Sequence, residues 1–158
     1  MLRWHEPFKA KKIFAGGVWI WSGLTADYEK TLATTEPALK QAYAHGVREV
    51  LATAWGDNGG ECPMSATLYG LQLYAEFDYA GDVSQAHLAK RFVECVGMDP
   101  AAFLRMSDFL MPIHFPKVER DAVNLCKPLL YEDPLIPLFE KDFGGHDLVS
   151  CYAALKAD

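Results

Sequence analysis

Three tryptophans and one aspartate stand where two predicted strands of this 158-residue chain end. Trp19 and Trp21 close an apolar run that begins at Ile13, and Trp55 closes a second run, with Asp57 two residues further on. An indole can stack on the C–H face of a sugar ring, while a carboxylate accepts hydrogen bonds from hydroxyls at the rim. These residue types therefore fit one wall of a pyranose-binding site.

Each of these side chains also has an ordinary structural interpretation. Tryptophan is highly buried on average, so a Trp on a strand is more often part of the core than of a binding surface. Asp57 could cap the turn that follows it or, together with Glu61, the next helix. Gly59 and Gly60 would let the same loop turn sharply. The residues alone leave these alternatives open.

The two apolar runs predict parallel strands. Residues Ile13–Trp21 and Val47–Trp55 are almost continuously apolar and rich in β-branched and aromatic types, which is typical of strands covered on both faces. Two strands separated by a helix-length crossover pair in parallel, with a right-handed connection. A lone parallel pair would expose two unpaired edges. We therefore expect this unit to be one piece of a larger sheet, or to be completed by another copy.

Helices are predicted after each strand. The first runs from Tyr28 to His45, where Asp27 is placed to cap its start and Gly46 to end it. Pro37 lies inside this range and predicts that the helix starts or kinks there. The second helix is expected over Ser65–Tyr79.

After Gly81 the pattern becomes helical. Helices are expected over Ser84–Val96, Ala101–Met111, Lys117–Leu130 and His146–Lys156. A strand pattern recurs only weakly, near Leu135–Phe139. The chain is thus predicted to consist of β/α units in residues 1–82 and a mainly α-helical region in residues 83–158.

Composition excludes several classes of function. Fifteen basic and twenty-one acidic residues give a net charge of −6, which disfavours binding to nucleic acid or to an anionic membrane. No apolar run reaches the roughly 18 residues that a transmembrane helix needs. Residues Met1–Lys12 carry no apolar segment of a signal peptide, so we expect a cytoplasmic protein.

The four cysteines do not predict a metal site. No C-x-x-C pair is present, so structural zinc is not expected, and neither is any other metal or cofactor. We interpret the thiols as reduced. Cys62 follows the glycine-rich loop and is a conceivable nucleophile, but no partner base is evident in the sequence.

Two segments resemble a known family. Residues 14–21 (Phe-Ala-Gly-Gly-Val-Trp-Ile-Trp) and 52–62 (Ala-Thr-Ala-Trp-Gly-Asp-Asn-Gly-Gly-Glu-Cys) resemble the last two strands of the catalytic barrel of glycoside hydrolase family 20, the β-N-acetylhexosaminidases. The resemblance covers about residues 10–82, and the helical tail is similar to the C-terminal domain of bacterial members. It implies a partial (β/α) barrel fragment with two parallel strands.

The resemblance also implies an activity and a substrate. Members of this family hydrolyse terminal N-acetylglucosamine or N-acetylgalactosamine with retention of configuration, and the acetamido oxygen of the substrate acts as the nucleophile. By motif, Trp55 matches the wall of the sugar pocket, and Asp57 matches an acidic residue, often Glu, that binds the sugar's outer hydroxyls. Trp19 and Trp21 match the aromatic end of the preceding strand. The implied partner is a glycan that contains an N-acetylhexosamine.

One departure from the family is large. The family's catalytic Asp-Glu pair lies on an earlier strand, and this sequence has no Asp-Glu dipeptide; Glu132-Asp133 has the reverse order and lies in the helical tail. We therefore assign no catalytic residue to this chain and expect the isolated chain to be inactive. Two alternatives remain, a non-catalytic interaction or oligomerisation module and a fragment of another sugar-active barrel.

Overall fold

A computed structural model of the chain describes residues 2–5, 7–21, 23–57, 60–110, 133, 135–136 and 147–157. The described strands are β1 (Ile13–Gly17) and β2 (Glu49–Thr53). The described helices are α1 (Leu2–His5), α2 (Tyr28–Ala44), a 3₁₀ helix (Met64–Thr67), α3 (Leu68–Ala80), α4 (Gln85–Val96), α5 (Pro100–Leu104), α6 (Met106–Leu110) and α7 (Leu148–Ala157).

The two strands pair in parallel, as predicted. Their register runs from Ile13 opposite Glu49 to Gly17 opposite Thr53, and α2 forms the crossover between them. The strands are shorter than predicted, however. They stop before the tryptophans, whereas the sequence extended them through Trp21 and Trp55.

The early end of β1 has a local cause. The N–H of Val18 still donates to the carbonyl of Thr53 at 2.8 Å. The next N–H, of Trp19, instead donates to the hydroxyl of Thr31 on α2 at 3.0 Å. Since successive N–H groups of a strand point to opposite edges, the Trp19 N–H faces away from β2, and its bond to α2 holds the tryptophan segment where it leaves the sheet as a loop.

Helix α2 begins and ends where the sequence predicts. The side chain of Asp27 accepts a hydrogen bond from the N–H of Lys30 at 2.8 Å, and Gly46 follows the last turn with φ +76°, a conformation that costs glycine little. The sequence predicted that the helix starts or kinks at Pro37, and a start there is wrong, because the helix runs through this residue. Pro37 itself is exposed, while Leu39 beside it is buried, so packing of the apolar face holds the helix across the proline.

In the described part of the chain the helices cover one face of the sheet. Phe14 and Ala52 lie on this face and pack against the core. At its carboxyl end, Val18 fits against Gly70 of α3, where an added Cβ would lie 2.6 Å from both methyl carbons of Val18. This close approach of strand and helix requires glycine.

Among the described residues the opposite face is bare except at its carboxyl end, where the Trp21 ring lies against Gly17. Ile13 is 60% exposed and Leu51 is 56% exposed, and Ala15, which is paired with Leu51, is exposed as well. The sequence predicted strands covered on both faces, and that expectation is wrong for the described residues. Helix α2, which connects β1 to β2, and α3, which follows β2, both contribute to the core on the side of Phe14 and Ala52.

The hydrophobic core extends from the β/α units into the helical region. Its aromatic centre is a chain of edge-to-face pairs in which Phe92 of α4 contacts Tyr69 of α3 and Phe103 of α5. Tyr28 contacts Tyr69 and Phe103 in the same manner. Edge-to-face pairs bring the positive ring edge to the negative face of a neighbour. This geometry fixes α2, α3, α4 and α5 relative to one another.

A buried carboxylate adds a polar tie between α3 and α4. The side chain of Glu76 is 5% exposed and lies 3.1 Å from Nδ1 of His87 and 3.4 Å from Nε of Arg91. The amide of Gln72 donates to the same carboxylate at 2.9 Å. A buried charge is tolerated when such partners satisfy it, so Glu76 fixes the orientation in which α4 packs.

The helical region differs from expectation at one point. Helix α4 lies within its predicted range, and the side chain of Ser84, the first residue of that range, caps it. The single helix expected over Ala101–Met111 is wrong, since the chain breaks at Arg105 into α5 and α6. The break lets the start of α6 serve α2: the Ser107 hydroxyl accepts hydrogen bonds from the N–H groups of Tyr28 and Glu29 at 2.8 and 3.0 Å.

Two further predictions fall largely outside the described residues. The helix predicted over Lys117–Leu130 lies outside them, and of the weak strand near Leu135–Phe139 the structure describes one antiparallel bridge, between Asp133 and Ile136. Helix α7 corresponds to the helix predicted over His146–Lys156. None of the helices in the described ranges combines the length and apolarity needed to cross a bilayer.

Candidate functional site

The tryptophans and Asp57 lie at the carboxyl ends of the two paired strands. Trp19 and Trp21 follow β1, while Trp55 and Asp57 follow β2. Because the strands are parallel and in register, both segments leave the sheet at the same edge. The sequence placed these four residues at neighbouring strand ends, and the structure has them there.

Trp19 is anchored to the start of α2. Its backbone N–H donates to Thr31, and its carbonyl accepts from the N–H of Asp27 at 2.7 Å. The ammonium group of Lys30 lies 4.0 Å from the centre of the Trp19 ring, a cation–π contact. Backbone and ring are thus both held by the first turns of the helix.

Trp21 stacks on Trp19 and folds back over the sheet. The two ring centres lie 4.3 Å apart with an angle of 32° between the planes. Both rings are half-buried. The sequence left open which of the two faces the candidate pocket. The structure shows that Trp19 contacts Lys30 and Trp21, whereas Trp21 contacts Trp19 and lies against Gly17 of the sheet.

In the part of the chain that the structure describes, one side-chain hydrogen bond holds Trp55, and the residue is half exposed. Its Nε1–H donates to the hydroxyl of Thr53 at 3.0 Å, and the residue is 52% exposed. The interpretation of these tryptophans as core residues therefore fails for Trp55. An exposed indole whose polar edge is already fixed presents its apolar faces to a ligand.

Asp57 is exposed at the end of the same segment. Among the described residues no hydrogen bond satisfies its carboxylate, and the 3₁₀ helix that follows begins after Pro63 with no side-chain cap. The capping interpretation is therefore not observed within these ranges. Asn58 and Gly59 lie outside the described residues, and Gly60 adopts φ +67°.

Sequence reasoning missed the residues that hold this arrangement together. Thr31 and Thr35 of α2 are buried, and their hydroxyls bond the backbone of β1 and its extension, at Trp19 N and at Gly17 O. The available signal was their spacing of four residues within the apolar stripe of α2. A polar residue at such a position is buried only when a partner satisfies it.

Cys62 does not have the environment of a nucleophile. The thiol is buried, and desolvation raises its pKa to about 11. A catalytic cysteine needs the opposite shift, because the thiolate is the reactive form. Its place in the site is structural.

Alkylation should therefore discriminate between Cys62 and the exposed Cys95. At pH 8, below the raised pKa, the Cys62 thiol stays protonated as well as shielded. We expect iodoacetamide to label Cys95 at least about tenfold faster, because its thiol is exposed whereas the Cys62 thiol is buried and protonated, as read by peptide mass spectrometry. In urea the two rates should converge. Equal rates in the folded protein would contradict the buried placement of Cys62.

Two grooves lie toward the other end of the strands. One, of about 820 Å³, is lined by Tyr43, Glu49, Leu51 and Tyr74, among others. The other, of about 870 Å³, is lined mainly by apolar groups, including Phe8, Ile13 and Phe14, with basic residues at its rim. Neither groove includes the tryptophans. In the described part of the chain no group of three or more His, Cys, Asp or Glu side chains is placed to hold a metal ion.

Comparison with known protein families finds no family model that matches this chain, and comparison with curated proteins finds no significant match.

Proposed function

We propose that the chain forms the C-terminal β/α units and helical region of a retaining β-N-acetylhexosaminidase. In this proposal it supplies one wall of the sugar pocket, through Trp55, Asp57, Trp21 and Trp19. The observation that supports it most is the placement of one exposed indole, two half-buried indoles and an exposed carboxylate at the carboxyl ends of the same pair of parallel strands. That edge is where ligands bind in (β/α) barrels.

The one-sided cover of the sheet supports a barrel rather than an open sheet. In a doubly wound fold helices pack on both faces, whereas in a barrel they surround the outside and the inner face is filled by strand side chains. Here α2 and α3 share one face, and Ile13, Ala15 and Leu51 lie bare on the other. In the complete barrel these side chains would belong to its interior.

The chemistry assigned to this chain is binding, not bond cleavage. The substrate's own acetamido oxygen would attack the anomeric carbon as the glycosidic C–O bond breaks. Of a carboxylate pair outside this chain, one group would orient the acetamido group and the other would protonate the leaving oxygen. Trp55 and Trp21 would stack on the pyranose, and Asp57 would accept from its outer hydroxyls. We accordingly expect no hydrolysis of a chromogenic N-acetylglucosaminide by the chain alone. Turnover at ordinary enzymatic rates would overturn the assignment of the catalytic pair to another part of the protein.

Binding of N-acetylglucosamine is the direct test. We expect a weak interaction, with a dissociation constant on the order of millimolar, because one wall of a pocket contributes only part of the contacts. Trp55→Ala should raise the dissociation constant about three- to tenfold, since stacking on one ring contributes about 0.5–1.5 kcal/mol. Asp57→Asn should act in the same direction. Ligand-observed NMR titration measures both changes.

Trp4→Ala is the matched control. Trp4 is 84% exposed on α1, before β1 and away from the strand ends that carry the other tryptophans, so its removal should leave the dissociation constant unchanged. Glucose, which lacks the acetamido group, serves as the second ligand. Equal binding of glucose and N-acetylglucosamine would favour another sugar-active barrel, and no response to Trp55→Ala would remove the indole wall from the proposal.

The bare sheet face supports a second candidate, an interaction module that another chain completes. Ile13 and Leu51 are more than half exposed, and within the described residues each strand of the two-stranded sheet has one edge without a neighbouring strand. Unpaired edges and apolar faces recruit further strands. Under this candidate Leu51→Lys would disrupt an oligomer detected by analytical ultracentrifugation and leave sugar binding unaffected.

A further inference from the structure

We propose that Gly17 and Thr53 position the indoles of the proposed sugar pocket. Gly17 leaves the space that the Trp21 ring occupies, and Thr53 orients the Trp55 ring through a hydrogen bond. The two residues are the last paired positions of β1 and β2 and face each other across the sheet. The proposal rests on the proposed function for its sugar ligand, but the geometry it assigns can be measured without any ligand.

Gly17 determines where Trp21 lies. A Cβ at residue 17 would lie 2.5 Å from Cη2 and 2.9 Å from Cζ3 of Trp21, far inside van der Waals contact. The backbone of Gly17 does not itself demand glycine, since its φ is not positive. The missing side chain is therefore required by the indole that occupies its place, not by the strand.

Thr53 fixes Trp55 from the same position in the other strand. Its hydroxyl accepts from Nε1 of Trp55 and donates to the carbonyl of Gly16, each at 3.0 Å. The hydroxyl hydrogen and a lone pair are thus both used, so the oxygen cannot rotate away from the indole. The orientation of the exposed ring is transferred to the sheet backbone by one side chain.

The Thr53 hydroxyl and the Trp21 ring lie close to the same point beside Gly17. The Thr53 hydroxyl lies 3.6 Å from the point where a Gly17 Cβ would be, and the tip of Trp21 lies 2.5 Å from that point. The rung formed by Gly17 and Thr53 thus sets the relative position of an indole from each strand. Since Trp19 is held independently by α2, a change at this rung should move Trp21 and Trp55 while leaving Trp19 in place.

Gly17→Ala tests whether the missing side chain at residue 17 determines the position of Trp21, with circular dichroism as the measurement. Stacked indoles 4.3 Å apart couple their ultraviolet transitions, and we expect Gly17→Ala to remove most of the resulting couplet. Gly56→Ala is the matched control, because nothing lies within 4 Å of a Cβ at that position and its φ is ordinary. An unchanged couplet in folded Gly17→Ala would overturn the proposal.

A second variant keeps the test decisive if Gly17→Ala does not fold. Removal of the Trp21 ring removes the clash, so Gly17→Ala combined with Trp21→Ala should fold as well as Trp21→Ala alone. Failure of the double variant to fold would show that glycine is needed at residue 17 for another reason. The proposed role of Gly17 in positioning Trp21 would then be wrong.

Thr53→Val and Thr53→Ser test whether the Thr53 hydroxyl orients Trp55. Valine keeps the shape and removes the hydroxyl, whereas serine keeps the hydroxyl. We expect Thr53→Val to shift the emission of Trp55 and to weaken N-acetylglucosamine binding about three- to tenfold, with Thr53→Ser close to wild type in both. Equal effects of the two substitutions would contradict the proposed role of the Thr53 hydroxyl in orienting Trp55. Spectral changes as expected, but with no sugar binding by the wild-type chain, would leave the positioning intact and remove the proposed ligand.

Discussion

Replacing Phe92 by alanine is expected to lower the free energy of unfolding by about 3 to 5 kcal/mol, the usual cost of emptying a fully buried phenylalanine site. The ring has no solvent exposure. Its centre lies 5.2 Å from that of Tyr69 and 4.9 Å from that of Phe103, in edge-to-face geometry. Its removal therefore releases α4 from both α3 and α5, and collapse of one neighbour alone cannot fill the space.

Urea unfolding monitored by far-ultraviolet circular dichroism measures this effect. Val93→Ala, at the next residue of α4, is the control, because Val93 is 49% exposed and alanine has the higher helix propensity. Its effect should stay within about 0.5 kcal/mol. A loss below about 1 kcal/mol for Phe92→Ala would mean that the aromatic chain does not carry the packing of α4.

Replacing Tyr28 by phenylalanine is expected to cost about 2 to 4 kcal/mol, although only one oxygen is removed. The buried Tyr28 hydroxyl donates to the carbonyl of Ala66 and accepts from the N–H of Gly70 at 3.2 Å. Phenylalanine keeps the ring contacts but leaves a buried carbonyl and a buried N–H without their partner, and each such group costs about 1 to 3 kcal/mol. Burial also raises the pKa of the Tyr28 phenol far above its ordinary value, so the donated hydrogen is retained at alkaline pH.

Tyr79→Phe provides the comparison, since Tyr79 is 83% exposed and should change stability by less than about 0.5 kcal/mol. Denaturant unfolding of both variants gives the two free energies. An ultraviolet titration adds an independent readout, in which the Tyr28 phenol should ionise only as the protein unfolds in alkali. A neutral Tyr28→Phe variant would contradict the role of the hydroxyl as a link between α2 and α3.

The sequence predicts most of the helix termini because their signals are local. Asp27, Ser84 and Asp99 each accept a hydrogen bond from a backbone N–H of the helix they precede. Gly46 and Gly97 each follow a helix with positive φ. A cap depends on residues within one turn, so composition and spacing suffice to find it. The parallel pairing of the strands followed from the length of their connection.

What the sequence could not predict depends on contacts between distant segments. The apolar run through Trp21 looked like strand, yet the chain leaves the sheet after Val18, where Trp19 is bonded to Thr31 of α2. Arg105 carries no breaking signal, and the helix stops there because Ser107 bonds the start of α2, at Tyr28. The tryptophans, by contrast, were found from residue type and position at strand ends. How they are held was not, because a glycine and a threonine in a strand carry no distinctive pattern.

The span of the contacts also has a consequence for the order of folding. Helices α3 and α4 adjoin in the chain and meet through a short turn at Gly81, so their hairpin closes a small loop at little entropic cost. The sheet and the contacts of α2 are different: the bond from Thr53 to Gly16 across the sheet joins residues 37 apart, and the bond from Tyr28 of α2 to Ala66 joins residues 38 apart. Because closure entropy grows with loop length, we expect the α3–α4 hairpin to nucleate the domain. The strands, and with them the indoles at their ends, should reach their final positions late, after the folding transition state.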